Sequence, residues 1–204
     1  MSVEAKLKRV LNEARACSAC AGDLASGPRP IVQLGVGATM VIISQAPGRR
    51  VHDSGIPWDD ASGIRLREWL GLSVEEFYDP SLVALMPMGF CFPGSGPSGD
   101  LPPRPLCAPL WHPQLLPFLA HDRITVILGA YAQQRYLPQR SHTLTETVAR
   151  WAEFLPDTIV LPHPSPRNNR WFARNPWFEA ETLPAVGRRV ADARADRRPR
   201  GPGV

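Results

Sequence analysis

Four short runs of aliphatic and β-branched residues, at 40–45, 82–88, 124–128 and 158–161, punctuate the chain, and none is followed by a hairpin dipeptide. Continuous apolar runs of that length suit strands buried on both faces, and strands separated by long connections pair in parallel. Helical patterns fill the intervals. Leu66, Trp69 and Leu70 share a face in the segment after Ser62, as do Leu144, Val148, Trp151 and Leu155 in the segment opened by Thr143. Thr143 and Glu146 stand at the N-cap and N3 positions of a capping box. Leu7, Val10, Leu11 and Ala14 mark one face of an amino-terminal helix, and a last helix is expected over 178–194. Strand alternating with helix predicts an α/β fold: a three-layer α/β/α sandwich on a central four-stranded, mostly parallel sheet. Ligands in such folds bind outside the carboxyl ends of the strands. The loops to watch are therefore 46–60, 89–109 and 162–176.

The 204 residues, 44% of them hydrophobic, suffice for one core and leave little for a second. One domain is expected over 1–197, followed by a disordered tail, RPRGPGV, at 198–204. This composition excludes a fibrous protein, a disordered chain and a small disulfide-stapled fold. The longest apolar stretch, 124–132, falls far short of the roughly 20 residues that cross a membrane, and the amino terminus carries no signal-peptide pattern. A soluble cytoplasmic protein without membrane association is expected. The net charge is +4, and of 23 basic residues only Lys6 and Lys8 are lysine. Arginine forks match phosphate oxygens, which leaves nucleic acid open as a partner.

The glycine-rich segment 94–99, GSGPSG, lacks the Lys-Ser/Thr ending of a phosphate loop and has proline where a helix would begin. The serines lack the nucleophile-elbow pattern of a serine hydrolase. More informative are the four cysteines: Cys17 and Cys20 form C-x2-C, and Cys91 and Cys107 follow far downstream. In a reducing compartment such a set points to a metal or a redox pair. Zinc, an iron–sulfur cluster and four buried apolar side chains all remain open on spacing alone.

Two further motifs sit at strand ends. Ser44-Gln45-Ala46-Pro47-Gly48 closes the first run and is followed by Gly55-Ile56-Pro57-Trp58-Asp59-Asp60; His163-Pro164-Ser165 lies just past the fourth. Together with the cysteines, these residues resemble the uracil-DNA glycosylase superfamily, and within it the iron–sulfur branch. That branch has G-E-A-P-G as motif A, then a G-x-P-F segment whose ring stacks on the extruded base, and H-P-S with a wedge loop as motif B. The resemblance runs from about Ala16 to Arg170. It implies one structural [4Fe-4S] cluster on Cys17, Cys20, Cys91 and Cys107, tying the amino-terminal helix to the loop after the second strand. It also implies a base pocket of Gln45, Ala46, Trp58 and His163, and DNA contacts from Ser165, Arg167, Asn168 and Arg170.

Two positions depart from the pattern. Gln45 replaces the motif A glutamate, and Pro87 stands where the branch has the asparagine that reads the uracil edge. The chemistry still suits base excision. A glycosylase swings the nucleotide out of the stack and holds the base between an aromatic face and polar groups. Cleavage passes through an oxocarbenium-like sugar while negative charge develops on the departing base, so a preorganised donor is the main requirement. His163 is the candidate donor and Gln45 the candidate water-positioning group, with Asp59, Asp60 or Asp53 as candidate carboxylates. Each has a structural alternative: Trp58 as a core ring, Asp59 or Asp60 as a helix N-cap, Gln45 as a loop brace, and Arg167 as a solvated charge.

The expected function is excision of uracil from DNA by a monomeric, monofunctional glycosylase at the nucleoid of a bacterial cytoplasm. The alternatives are a glycosylase for hypoxanthine or xanthine, and a non-catalytic iron–sulfur protein that binds DNA or abasic sites.

Overall fold

The computed structural model describes residues 1–97 and 99–195; the expected tail at 198–204 lies outside them. The strands are β1 (Met40–Ile43), β2 (Val83–Leu85), β3 (Ser95–Gly96), β4 (Gly99–Asp100), β5 (Ile124–Leu128) and β6 (Thr158–Leu161). β3 and β4 form a separate antiparallel hairpin, while the other four make one sheet in the order β2-β1-β5-β6, every pair parallel. The helices are α1 (Val3–Arg15), α2 (Arg49–Ser54), α3 (Ala61–Leu70), α4 (Val74–Tyr78), α5 (Cys107–Leu115), α6 (Gly129–Tyr136), α7 (Leu144–Ala149), α8 (Asn169–Arg174) and α9 (Leu183–Ala195). Helices flank the sheet, giving the three-layer α/β/α architecture, with α3 packed on α9 and α1 on α5. No described helix is long and apolar enough to cross a membrane.

The strand order creates a crevice. The connection from β1 leads to β2 on one side, and the chain then returns past β1 to β5 on the other, so the strand order reverses between β1 and β5. Register aligns the rim: Ile43 pairs with Ile127, and Leu128 with Leu161. Gln45 and His163, each two residues beyond its strand, therefore emerge at one edge of the sheet, about two strand spacings or ~10 Å apart. Gly129 ends β5 between them at φ 78°, a conformation that favours glycine, so the chain turns away beneath the cleft.

Local signals explain most boundaries. The buried residues of α1 are Leu7, Val10, Leu11 and Ala14, and Thr143 and Glu146 form the expected capping box of α7. Two helices differ from expectation. α7 stops at Ala149 and a 3-10 turn, Trp151–Phe154, replaces its last expected turn; Leu155, the residue before Pro156, is extended, as the proline ring requires. The last helix begins at Phe178 as a π-helical turn and becomes regular only from Leu183.

α5 does more than cover the sheet. It begins at Cys107 and carries His112, 1% exposed, whose Nε2–H donates to the Pro87 carbonyl at 3.0 Å while Nδ1 accepts from the Tyr136 hydroxyl. The imidazole is also stacked on the Phe90 and Tyr136 rings. Burial pushes the His112 pKa down from 6.5 to about 4, against a weaker upward pull from the Pro87 carbonyl. Between those values the unfolded chain takes up a proton that the folded chain refuses. Stability therefore falls as pH drops from 6.5 to about 4, by about 3 kcal/mol over the interval. Urea denaturation of wild type and His112→Gln should show a stability difference that shrinks steadily across this window. A difference independent of pH would contradict it.

Candidate active site

A cleft of about 350 Å³ opens at the β1/β5 crevice. Of the residues singled out from sequence, Gln45, Ala46, Trp58, Asp60 and His163 line it, together with Ser165, Arg167 and Asn168 from the loop after β6. Asp59 lies outside the lining, 3.9 Å from Arg50. Asp53 and Arg170 are exposed and also outside it. Asp60 does two jobs, since its side chain caps α3 by accepting the Gly63 N–H at 2.9 Å.

His163 is held as a neutral donor. Burial pushes its imidazole below the ordinary range, against smaller upward pulls from the Asp60 and Asp100 carboxylates. The Ser165 N–H donates to Nδ1 at 3.3 Å, an arrangement that assigns the proton to Nε2. The ring lies nearly parallel to Trp58, centroids 5.6 Å apart at 22°. Trp58 is 9% exposed and has φ 60°, a strained value for a bulky residue, of the kind that clusters at functional sites. It is both a core ring and a wall of the cleft.

The loop after β6 is anchored from two sides. Asn168 Nδ2 donates to the His163 carbonyl at 2.7 Å, and Arg65 Nη1 on α3 donates to Asn169 Oδ1 at 2.9 Å and to the Pro164 carbonyl at 3.3 Å. Nothing in the sequence distinguishes Arg65 from other helix-surface arginines. The opposite wall comes from β2 and its loop. Pro87 lines the cleft with no amide to offer, its carbonyl engaged by His112. Gln45 Nε2 donates to the Leu101 carbonyl at a long 3.5 Å. Asp100, on β4, also lines the cleft and was not among the expected residues. Its only sequence signal is its place directly after the glycine-rich segment.

The cysteines meet elsewhere. Cys17, Cys20, Cys91 and Cys107, all unpaired, line one small apolar cavity between the end of α1, the loop after β2 and the start of α5. The Phe90 N–H donates to Cys107 Sγ at 3.3 Å. Burial pushes Cys107 up to about 12 and raises Cys20 and Cys91 as well. Among the described residues no group of three or more His, Cys, Asp or Glu side chains forms a site for a metal ion.

A neutral histidine donor, an aromatic wall and a glutamine thus converge at the switch point of a parallel sheet. Comparison with protein families agrees: the model of the uracil DNA glycosylase superfamily matches residues 33–187. The chain belongs to the uracil-DNA glycosylase superfamily. Members of that superfamily are DNA glycosylases, and the match spans both motifs that form the cleft.

One glycine tests how tightly this glycosylase cleft is built. A Cβ on Gly63 would lie 1.9 Å from the Trp58 carbonyl oxygen, a backbone atom that cannot swing aside. In an ordinary helix, glycine to alanine gains about 1 kcal/mol. Here the close approach reverses the sign, and Gly63→Ala should destabilise the fold by about 1–3 kcal/mol and displace Trp58. Chemical denaturation, with tryptophan fluorescence as the probe, checks both effects. Equal or greater stability in the variant would refute the packing argument.

Proposed function

We propose that this chain excises uracil from DNA by hydrolysing the N-glycosidic bond and leaves an abasic site. The observation that supports this most is the neutral His163, with its proton on Nε2, facing a cleft walled by Trp58. The extruded base enters the cleft and packs beside Trp58. The C1′–N1 bond breaks, its electron pair passes to the base, and His163 Nε2–H donates to the oxygen where that charge gathers. Water adds to C1′ on the other side. Gln45 orients that water, since an amide cannot act as a general base. Arg167 and Asn168, which line the cleft, are the DNA contacts of this loop, with Ser165 shaping their turn through the Arg167 N–H. Arg170, exposed nearby, holds a backbone phosphate. The working unit is a monomer, its single domain running over 1–197, at the nucleoid of the cytoplasm.

Single-turnover assays on duplexes carrying uracil, hypoxanthine, xanthine or an abasic site test the reading. Uracil release is expected from wild type. His163→Ala should slow it by about a hundredfold or more with little change in DNA affinity, because the donor acts mainly in the transition state. An unchanged rate in His163→Ala overturns the mechanism. A second reading, release of hypoxanthine or xanthine, is favoured by Pro87, which offers no side chain to enforce the uracil edge. Tight binding to the abasic duplex without release of any base would instead mark a non-catalytic DNA-binding protein.

The same reading includes one [4Fe-4S] cluster on Cys17, Cys20, Cys91 and Cys107, assigning the chain to the iron–sulfur branch. Support comes from the convergence of all four thiols on one cavity and from the Phe90 N–H directed at Cys107, the kind of contact that stabilises cluster sulfurs. When bound, the cluster supplies a structural cross-link, since hydrolysis needs no electron transfer. Anaerobically purified protein should be brown and hold about four irons per chain. Cys107→Ser should lose iron and thermal stability together, because metal-binding free energy is part of folding free energy. Stoichiometric zinc without iron would refute the assignment.

A further inference from the structure

We propose that Asp100, delivered by the β3–β4 hairpin, is the carboxylate that accepts the proton of the attacking water and stabilises the sugar cation. The proposal rests on the glycosylase reading above and adds a residue to that same site.

Motif A places Gln45 where the iron–sulfur branch has a glutamate, so the acid has to come from elsewhere or be absent. Among the described residues, the carboxylates that line the cleft are Asp60 and Asp100. Asp60 is committed to the α3 N-terminus through Gly63. Asp100 is not committed to a helix. Its partner across the hairpin is Ser95, whose hydroxyl donates to Oδ1 at 3.3 Å. The other oxygen, Oδ2, faces motif A: a Cβ built on Gly48 would meet it at 3.4 Å. The Gln45 amide reaches the carbonyl of the next residue, Leu101. The amide and the carboxylate therefore stand beside one another on the β1 side of the cleft, and His163 stands on the β6 side.

The hairpin is also fixed from the far side. A Cβ on Gly99 would lie 1.9 Å from Arg167 Nη1, so the arginine after motif B packs directly on the hairpin backbone. Gly99 has φ 131°, which lets the strand take this path. The carboxylate is thus carried by a loop pinned between the two motifs. It is close enough to His163 to pull the imidazole upward, together with Asp60.

The chemistry follows from charge. As the C1′–N1 bond breaks, its electron pair leaves with the base and positive charge develops on the sugar. The Asp100 carboxylate stabilises that charge. The water oxygen bonds to C1′, one of its protons passes to Asp100 and then to solvent, and the base anion takes a proton from solvent. Atoms and charge balance as one water consumed, one free base and one abasic site formed.

Wild type and Asp100→Asn are compared in single-turnover release of uracil from a duplex, and in affinity for the same duplex carrying 2′-fluoro-2′-deoxyuridine, which resists cleavage. The expected result is a rate lower by about a hundredfold or more, with affinity within about threefold. Asp100 is exposed, so the variant should fold as wild type does. A rate within threefold of wild type overturns the proposal. So does an equal loss of rate and affinity, which marks a structural role for the hairpin. A wild type that releases no base from any duplex overturns the glycosylase reading itself, and this proposal with it.

Discussion

β1 pairs along both edges, with β2 on one side and β5 on the other, and the rest of the molecule depends on that double pairing. A strand held on both sides cannot slip without breaking two ladders, so its exit at Ser44 is a fixed point. The pairing continues past the strands: the Met88 N–H donates to the Ser44 carbonyl at 2.8 Å and the Gly89 N–H to that of Gln45 at 3.0 Å. Motif A is therefore a continuation of the sheet rather than a free loop. β6 sits one strand further along, which sets the separation of Gln45 and His163 before any side chain is chosen. A 3–4 kcal/mol oxyanion-type interaction is realised only when its donor is preorganised, and the sheet provides that rigidity.

The two sites are joined through one helix. α5 starts at the cysteine cavity with Cys107 and presents His112 to the Pro87 carbonyl at the base cleft. The path between the cavity and the wall of the cleft is thus a turn and a half of helix and one buried hydrogen bond. In this arrangement Pro87 lines the cleft without a polar side chain. Its nitrogen has no hydrogen, and its oxygen already accepts one hydrogen bond, from His112. In the proposed reading, recognition of the base therefore falls to other groups that line the cleft, among them Gln45 and His163.

What could be read in advance and what could not separate along physical lines. The four sheet strands were legible because a strand buried on both faces has to be apolar throughout, and the runs ending at Leu128 and Leu161 have no other reading of that length. α1 was legible from the period of Leu7, Val10, Leu11 and Ala14, and α7 from its capping box. α5 was not, because Pro113 inside it and the prolines before it mimic a loop. His163, Trp58 and Gln45 were visible through motifs at strand ends, where the fold class says ligands bind. Asp100 and Arg65 were not, since each reaches the site through tertiary packing across about fifty or a hundred residues of chain, and a sequence carries no local trace of such contacts. Asp59 looked as eligible as Asp60; only the cap to Gly63, set by helix geometry, turned one inward and left the other beside Arg50.

In the proposed mechanism, the charge state of His163 gives the cleft its selectivity for the transition state. An imidazolium in this position would be stabilised by the Asp60 and Asp100 carboxylates in the resting protein, spending its proton on the ground state. Burial outweighs those two carboxylates and holds the ring neutral. A neutral N–H donor gains little from a neutral base and much more from one that has acquired a bonding electron pair, so its contribution grows as the bond breaks. In that mechanism Asp100, which unlike Asp60 caps no helix, is left free to act on the other half of the separating pair, where the sugar becomes positive. Trp58 completes the arrangement: its ring lies nearly parallel to the imidazole and walls it on one side, so that burial, and not the carboxylates, decides the charge of the ring.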